Sequence, residues 1–199
     1  MPRKPEYNRT ELLDQAVRVF WEKGYWDTSI SDLVEATGVQ RYGLYSSFGD
    51  KHGLFLEALE RYQQTVIVGL VRELERPGAA LPEIEEFLDR LAHIGKTPGA
   101  ARGCLICNTA AELGQDDPDV AARVDSYTRR LRRAFRGALV RARTLGQLPE
   151  ALNAEDASRF LTGVVIGASV YARTPGGGAS LQPMLRMAGA ALTSAPATG

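Results

Sequence analysis

Two cysteines separated by three positions are the most reactive side chains that the sequence places close together. Cys104 and Cys107 follow Arg102 and Gly103, and the chain contains only these two cysteines. On a helix this spacing puts both thiols on one face, and a thiol near a helix N-terminus beside an arginine can have a lowered pKa. Free cysteines are usually buried small apolar side chains, so both roles stay open. Two thiols without further ligands do not predict a zinc site.

Three side chains that can read DNA follow a tight turn at Gly38 and Val39. Gln40, Arg41 and Tyr42 would begin a short helix whose first residues are free to enter a major groove. Arginine can donate two hydrogen bonds to a guanine edge or one to a phosphate, and glutamine can read adenine. Tyrosine can contact a thymine methyl group or a phosphate. Short helices on both sides of such a turn are typical of a helix-turn-helix.

The densest charge run is a series of arginines in the second half of the chain. Such a run could indicate a second nucleic-acid surface. Leu131, Phe135, Leu139 and Val140 interleave with it, which favours the solvated face of a helix instead. The arginines are Arg129, Arg130, Arg132, Arg133, Arg136, Arg141 and Arg143.

The composition narrows the function classes. Lys+Arg and Asp+Glu both number 24, so binding to DNA requires a local basic surface. Arg3, Lys4 and Arg9 could form a basic arm or a solubilising tail. No apolar run reaches the roughly 20 residues of a membrane span and the N-terminus lacks a signal core, which predicts a cytoplasmic protein. His52 and His93 join no metal-ligand spacing, and no nucleophile–base pair or cofactor motif is present, so neither an enzyme, a metal nor a cofactor is predicted.

Helical periodicity along nearly the whole chain predicts an all-α fold of about nine helices, and no stretch alternates as a strand does. Glycine or proline ends most of the helices. Thr28 or Ser29 would cap the second helix, with Asp32 reaching back to the cap. The predicted helices are 10–23, the second one up to Gly38, 40–46, 51–76, 82–95, 101–113, 118–145, 153–173 and 180–193.

Residues 9–60 carry a dense set of apolar, glycine and polar positions: Ala16, Phe20, Gly24, Tyr25, the stretch 28–39, Leu44, Tyr45, Phe48, Lys51, Leu54 and Phe55. This set resembles the DNA-binding part of the TetR/AcrR family of transcriptional regulators. The resemblance implies a three-helix helix-turn-helix domain in residues 1–53 and a helical effector-binding and dimerisation domain in residues 54–199. The chain departs from the family at Ser46 and Ser47, where many relatives carry histidines. It also departs at Gly43, which could permit close approach of the backbone to DNA.

The resemblance further implies a homodimer that binds a palindromic operator in double-stranded DNA. It also implies a repressor that a small-molecule effector releases from that operator, while activation stays open. Thr28, Tyr45 and Lys51 would hold phosphates beside the recognition helix. The predicted DNA-binding residues are Thr28, Gln40, Arg41, Tyr42, Tyr45, Ser46 and Lys51.

The C-terminal half carries the predicted dimer and effector sites. In the resembling family the last two helices pair across a two-fold axis into a four-helix bundle. The predicted interface residues are Phe160, Leu161, Val164, Val165, Ala168, Tyr171, Leu181, Met184, Leu185 and Ala188. The predicted pocket walls are Phe87, Leu91, Cys104, Cys107, Asn108, Tyr127 and Phe135.

Three alternatives to a ligand-responsive repressor remain at this point. The stretch from Gly103 to Glu112 resembles a Gly-Cys-Leu…Asn…Glu pattern in a subset of the family, some of whose members sense electrophiles or oxidants through a cysteine. A thiol-based sensor using Cys104 and Cys107 is therefore one alternative. An all-α enzyme and a protein-interaction module with a vestigial helix-turn-helix are the others. No local motif encodes the effector or the operator sequence.

Overall fold

The computed structural model describes residues 7–194, and all regular secondary structure in this range is helical. This confirms the predicted all-α fold. The helices number nine in this range when α4, the π-helical turn after it and α5 are counted as the single predicted fourth helix. The elements are α1 (Arg9–Lys23), α2 (Ile30–Thr37), α3 (Arg41–Phe48), α4 (Lys51–Tyr62), the π-helical turn (Gln63–Ile67), α5 (Val68–Glu75), α6 (Leu81–Ile94), a 3₁₀ turn (Pro98–Arg102), α7 (Leu105–Leu113), α8 (Pro118–Thr144), α9 (Ala154–Tyr171) and α10 (Gly177–Thr193).

The contacts divide the chain into two compact units. The first comprises residues 7–67 and 104–124, and the second comprises residues 68–103 and 125–194. The first unit therefore contains α1 to α4 together with α7. No helix within residues 7–194 is long and apolar enough to cross a membrane.

The caps around α2 explain why a short helix forms there. Ser29 accepts the backbone N–H of Asp32, and the Asp32 carboxylate accepts the backbone N–H of Ser29 at 2.8 Å. This reciprocal pair satisfies two N–H groups that a helix start otherwise leaves free. At the other end, Gly38 has φ 68°, a left-handed conformation that ends α2 and turns the chain towards α3. The predicted cap and stop are confirmed, with Ser29 rather than Thr28 as the cap.

The core of the first unit is built around two phenylalanines. Phe20 of α1 is fully buried, and its ring meets that of Phe55 of α4 edge-on, with the centroids 4.8 Å apart. Leu33, Leu44 and Phe48 are also buried, and they attach α2 and α3 to this core. Because α3 is only two turns long, its orientation depends on this packing.

Two predicted helices differ from the observed ones. The fourth helix is interrupted by the π-helical turn over Gln63–Ile67, which periodicity alone does not reveal. The predicted helix 101–113 begins later, because Gly103 adopts φ 63° after the 3₁₀ turn and Cys104 becomes the N-cap of α7. The prediction that both cysteines lie within the helix is therefore wrong for Cys104.

The second unit is a helical layer centred on α6, α9 and α10. Helix α6 packs against α5 and α10, and α10 packs against α9. Phe87 and Phe135 are buried, and their rings meet edge-on with the centroids 5.2 Å apart. Asn153 caps α9 by accepting the backbone N–H groups of Glu155 and Asp156, as predicted.

Candidate nucleic-acid interface

The first residues of α3 present three polar side chains to solvent. Gln40, Arg41 and Tyr42 are all exposed, and Tyr42, at 85%, is the most exposed large hydrophobic side chain within residues 7–194. Within residues 7–194 no ion pair or side-chain hydrogen bond engages Arg41. Its guanidinium is therefore available for a bidentate contact with a guanine or for a phosphate. The contact of these three side chains with DNA stays a prediction.

Gly43 is explained by packing inside the helix-turn-helix. A Cβ at this position would lie 2.8 Å from Cγ1 of Val39, which is buried. Glycine therefore allows α3 to close against the turn after α2, at a helix-propensity cost of about 1 kcal/mol relative to alanine. Ser46, one turn later, is exposed and donates a hydrogen bond to the Gly43 carbonyl at 3.1 Å.

The last two of the three aromatic side chains of α3 differ in burial. Tyr45 is 39% exposed, whereas Phe48 is buried. The Arg9 guanidinium lies 4.4 Å from the Phe48 ring centroid and pairs with Glu57 at 2.6 Å. Arg9 is thus held on the surface of the domain. Arg3 and Lys4, the other residues of the predicted arm, lie outside the described residues.

Lys51 fastens the segment between α1 and α2 to the start of α4. Its ammonium donates hydrogen bonds to the carbonyl oxygens of Tyr25 and Thr28, both at 2.9 Å, and lies 4.3 Å from the Tyr25 ring centroid. An ammonium has three donors, so one remains for a phosphate. The lysine therefore has a structural role, and its contact with a phosphate stays a prediction.

Thr28 has its side chain turned into the domain. It is 1% exposed, and its hydroxyl donates to the Gly24 carbonyl at 2.5 Å. The geometry favours a role in shaping the α1–α2 connection over the predicted side-chain contact with a phosphate.

Acidic side chains occupy the starts of α2 and α4. Lys23 donates to Asp32 at 2.6 Å, and this bond, with those from Ser29, lowers the pKa of the Asp32 carboxyl to about 2. Asp50 caps α4 by accepting the backbone N–H of Gly53 at 2.8 Å. A carboxylate therefore lies in the first turn of α2, at Asp32, and at the N-cap of α4, at Asp50.

Glu112 of α7 was not predicted to act on the helix-turn-helix, yet it holds the α1–α2 turn. Its carboxylate accepts the backbone N–H of Tyr25 at 2.8 Å, and a Cβ on Gly24 would lie 2.4 Å from the same carboxylate. A second link joins His52 of α4 to Asp117 at 2.6 Å. These pairs are 87 and 65 residues apart, so no local pattern reveals them, although Glu112 belongs to the Gly-Cys-Leu…Asn…Glu stretch.

Replacing Glu112 tests this link. We expect Glu112→Ala to lower the free energy of unfolding by about 1–3 kcal/mol, because the half-buried Tyr25 N–H loses its acceptor. Glu112→Gln retains an acceptor oxygen and should lose less. Urea unfolding of the three proteins measures the difference. Equal stability of the alanine and glutamine variants would contradict the role assigned to the carboxylate.

The two thiols lie in a buried cluster with Tyr62. Cys104 and Cys107 are 7% and 6% exposed. A hydrogen bond from Cys107, assisted by the backbone at the start of α7 and by the Tyr62 hydroxyl, lowers the pKa of the Cys104 thiol against the effect of burial. Burial raises the pKa of Tyr62, and the neighbouring Cys104 adds to this shift. Cys104 is therefore a thiol with a lowered pKa that reagents reach only with difficulty, because it is buried.

The predicted effector-pocket residues are divided between the two units. Cys104, Cys107 and Asn108 lie in the first unit, and all three are buried. In the second unit, Phe87, Tyr127 and Phe135 are buried and Leu91 is partly exposed. The assignment of these side chains to one effector site stays a prediction.

The predicted dimer residues separate into core and surface. Those that pack inside the protomer, with at most 5% exposure, are Leu161, Val165, Ala168, Leu181, Leu185 and Ala188. Those at least partly exposed are Phe160, Val164, Tyr171 and Met184. The first group was misplaced because a helix pair that is apolar nearly all round gives no sequence signal for which face meets a partner.

One face of α9 remains apolar and exposed. Phe160, Gly163, Val164, Gly167 and Tyr171 follow one another at helical spacing, and all are partly or fully exposed. A Cβ at Gly163 or Gly167 would meet nothing within 4 Å. The face is therefore a shallow surface flanked by two aromatic rings, on which a second helix could approach closely.

Two family models match the sequence. Residues 12–58 match the family described as bacterial regulatory proteins, tetR family. Residues 80–188 match the tetracyclin repressor-like C-terminal domain. The second match alone spans more than half of the chain.

Curated proteins that are similar to this chain are also transcriptional regulators. The chain is 33% identical over 156 residues to the HTH-type transcriptional regulator YezE of Bacillus subtilis (strain 168), covering 78% of each chain. It is 29% identical over 187 residues to the HTH-type transcriptional repressor ComR of Escherichia coli (strain K12), covering 94% of this chain and 88% of ComR.

Among solved structures, a cysteine mutant of the TetR family transcriptional regulator CifR, complexed with 26 bp double-strand operator DNA, superposes with a TM-score of 0.77 at 28% identity. The match covers 95% of this chain and 99% of that one. A TetR transcriptional regulator from Chloroflexus aurantiacus superposes with a TM-score of 0.82 at 25% identity, covering 93% of this chain and 94% of that one.

Proposed function

The chain belongs to the TetR family of DNA-binding transcriptional regulators, which are not enzymes, and we propose that it is a homodimeric repressor released from a palindromic operator by a small-molecule effector. The protein would bind its operator in the cytoplasm. The observation that supports DNA reading most directly is the exposed row Gln40, Arg41 and Tyr42 at the start of α3, which the core of the first unit holds in place.

Dimerisation is supported by the exposed face of α9. Phe160 and Tyr171 are 48% and 44% exposed, and contiguous apolar patches of this kind commonly mark protein interfaces. Pairing this face with its symmetry copy would bury both rings and bring the glycines of the two protomers together. A two-fold dimer carries two copies of α3, and a palindromic operator follows from that symmetry.

Release by an effector requires a difference in binding between two states. In one conformation of the dimer the two copies of α3 are spaced wrongly for the operator. A ligand that binds more tightly to this conformation shifts the population away from the DNA-bound form. The predicted contacts for such a ligand are the aromatic side chains Phe87, Tyr127 and Phe135 in the second unit. Membership of the family favours this mechanism over the two alternatives from other classes, and the burial of both thiols weighs against the thiol-based alternative.

Replacement of Arg41 tests the reading surface. Arg41→Ala should weaken binding to the operator and relax discrimination at one base pair per half-site, by about 1–3 kcal/mol. Arg18 is an exposed arginine on α1 of the same unit, and Arg18→Ala therefore serves as a control with the same change in charge. Fluorescence anisotropy on operator variants measures both effects. If the two variants weaken binding equally for every sequence, Arg41 contributes charge and does not read a base.

A further inference from the structure

A cleft in the second unit has no part in the proposed function. It lies between the C-terminal end of α5, the turn Arg76–Ala79 and the middle of α8, and its volume is about 500 Å³. This volume falls within the range of sites for small molecules, about 300–1,000 Å³. Its charged lining consists of one carboxylate, Glu75, and four arginines, Arg76, Arg130, Arg133 and Arg141.

Two of these arginines are neutralised by carboxylates. Arg130 forms a bidentate ion pair with Glu75, with both N–O distances at 2.6 Å. Arg76 pairs with Glu83 at 2.7 Å and with Glu73 at 3.0 Å. Both guanidinium groups are therefore held in place, and they line the cleft without contributing uncompensated charge.

The other two arginines carry the uncompensated charge. Arg133 and Arg141 are exposed, and within residues 7–194 neither forms an ion pair or a side-chain hydrogen bond. They are eight residues apart on α8, on the same face of the helix and about 12 Å apart along its axis. Long, flexible arginine side chains can shorten this span by bending towards one another.

Gly137 lies midway between them and leaves the space open. A Cβ at this position would meet nothing within 4 Å, and Ala134 and Ala138 beside it are also small. The floor of the cleft is thus flat between two unpaired guanidinium groups. The opposite wall is the C-terminal end of α5, where the helix dipole is negative, so an anion is favoured on the α8 side.

We propose that this cleft binds a small molecule with two anionic groups, one held by Arg133 and the other by Arg141. The planar guanidinium donates two parallel hydrogen bonds to a carboxylate or a phosphate, and Gly137 provides room for the connecting atoms. The shared chemistry of the ligand is a pair of acidic groups on a short linker. None of the predicted effector contacts lines this cleft.

Isothermal titration calorimetry on the full chain tests the proposal, with inorganic pyrophosphate and glutarate as separate probes. Saturable binding of at least one probe, one molecule per chain, is expected, and the tighter of the two identifies phosphate or carboxylate as the preferred group. The double variant Arg133→Ala, Arg141→Ala should bind at least about tenfold more weakly, because charge-assisted hydrogen bonds are lost at both ends.

Two further variants distinguish a built site from general attraction to arginines. Gly137→Leu retains every charge but fills the floor of the cleft, and it should weaken binding to a similar extent. Arg132→Ala removes one charge from the same helix outside the cleft, and it should leave binding unchanged. The proposal is overturned if neither probe binds saturably, if Gly137→Leu binds as the unmodified protein does, or if Arg132→Ala weakens binding as much as the double variant.

Discussion

The double substitution Gly163→Leu, Gly167→Leu is expected to make the proposed dimer monomeric and to abolish the proposed tight binding to an operator. Both glycines lie on the exposed apolar face of α9, and a Cβ at either position meets nothing in the protomer. The fold should therefore persist, and leucine favours a helix over glycine by roughly 1 kcal/mol per site. In the proposed dimer, the two side chains would hold the partner helix away and uncover Phe160 and Tyr171.

Sedimentation equilibrium and operator binding measure this effect together. The unmodified protein should sediment at twice the chain mass of 21.7 kDa, and the variant at the chain mass. Gly69→Leu on α5 is the matched control, because a Cβ there also meets nothing within 4 Å but the position lies outside the proposed interface. A variant that stays dimeric would place the interface on another surface.

Phe55→Ala is expected to lower the free energy of unfolding by about 3–5 kcal/mol. Phe55 is 1% exposed, and its ring contacts those of Phe20 and Tyr25 with both centroid distances at 4.8 Å. The truncation leaves a cavity where α1, α4 and the α1–α2 turn meet. Whole domains are stable by only about 5–15 kcal/mol. The first unit of the variant should therefore unfold at a clearly lower urea concentration than that of the unmodified protein.

Tyr42→Ala is expected to weaken operator binding and to leave the free energy of unfolding nearly unchanged. Tyr42 is 85% exposed, so its loss should change stability by no more than about 0.5 kcal/mol while weakening operator binding. Urea unfolding and anisotropy on the same two variants separate a folding role from a reading role. A stable Phe55→Ala protein, or a Tyr42→Ala protein with unchanged affinity for the operator, would contradict these assignments.

Much of the fold was accessible from the sequence because its signals are local. The Ser29–Asp32 capping box, the glycine at position 38 and the apolar spacing of α1 each act within one or two helical turns. The exposed position of Arg41 followed in the same way from its place after the turn. The resemblance of residues 9–60 to the TetR/AcrR family added the prediction of a DNA-binding function.

The remaining features depend on contacts that no local pattern encodes. Glu112 reaches Tyr25 across 87 positions, and Lys51 binds carbonyl groups that any sequence provides. The dimer prediction included Leu161 and Leu185 because an apolar helix does not reveal which of its faces is already covered. The contacts of Glu112 and of Lys51 and the burial of the two leucines all depend on tertiary packing.

Operator recognition is tested most directly by fluorescence anisotropy of the purified protein on the intergenic DNA upstream of its own gene, across salt concentrations. We expect tight binding to a palindrome, saturation at a multiple of two chains, and affinity that falls steeply as salt rises, because phosphate contacts release counterions. Weak binding that is equal for unrelated sequences at every salt concentration would contradict it.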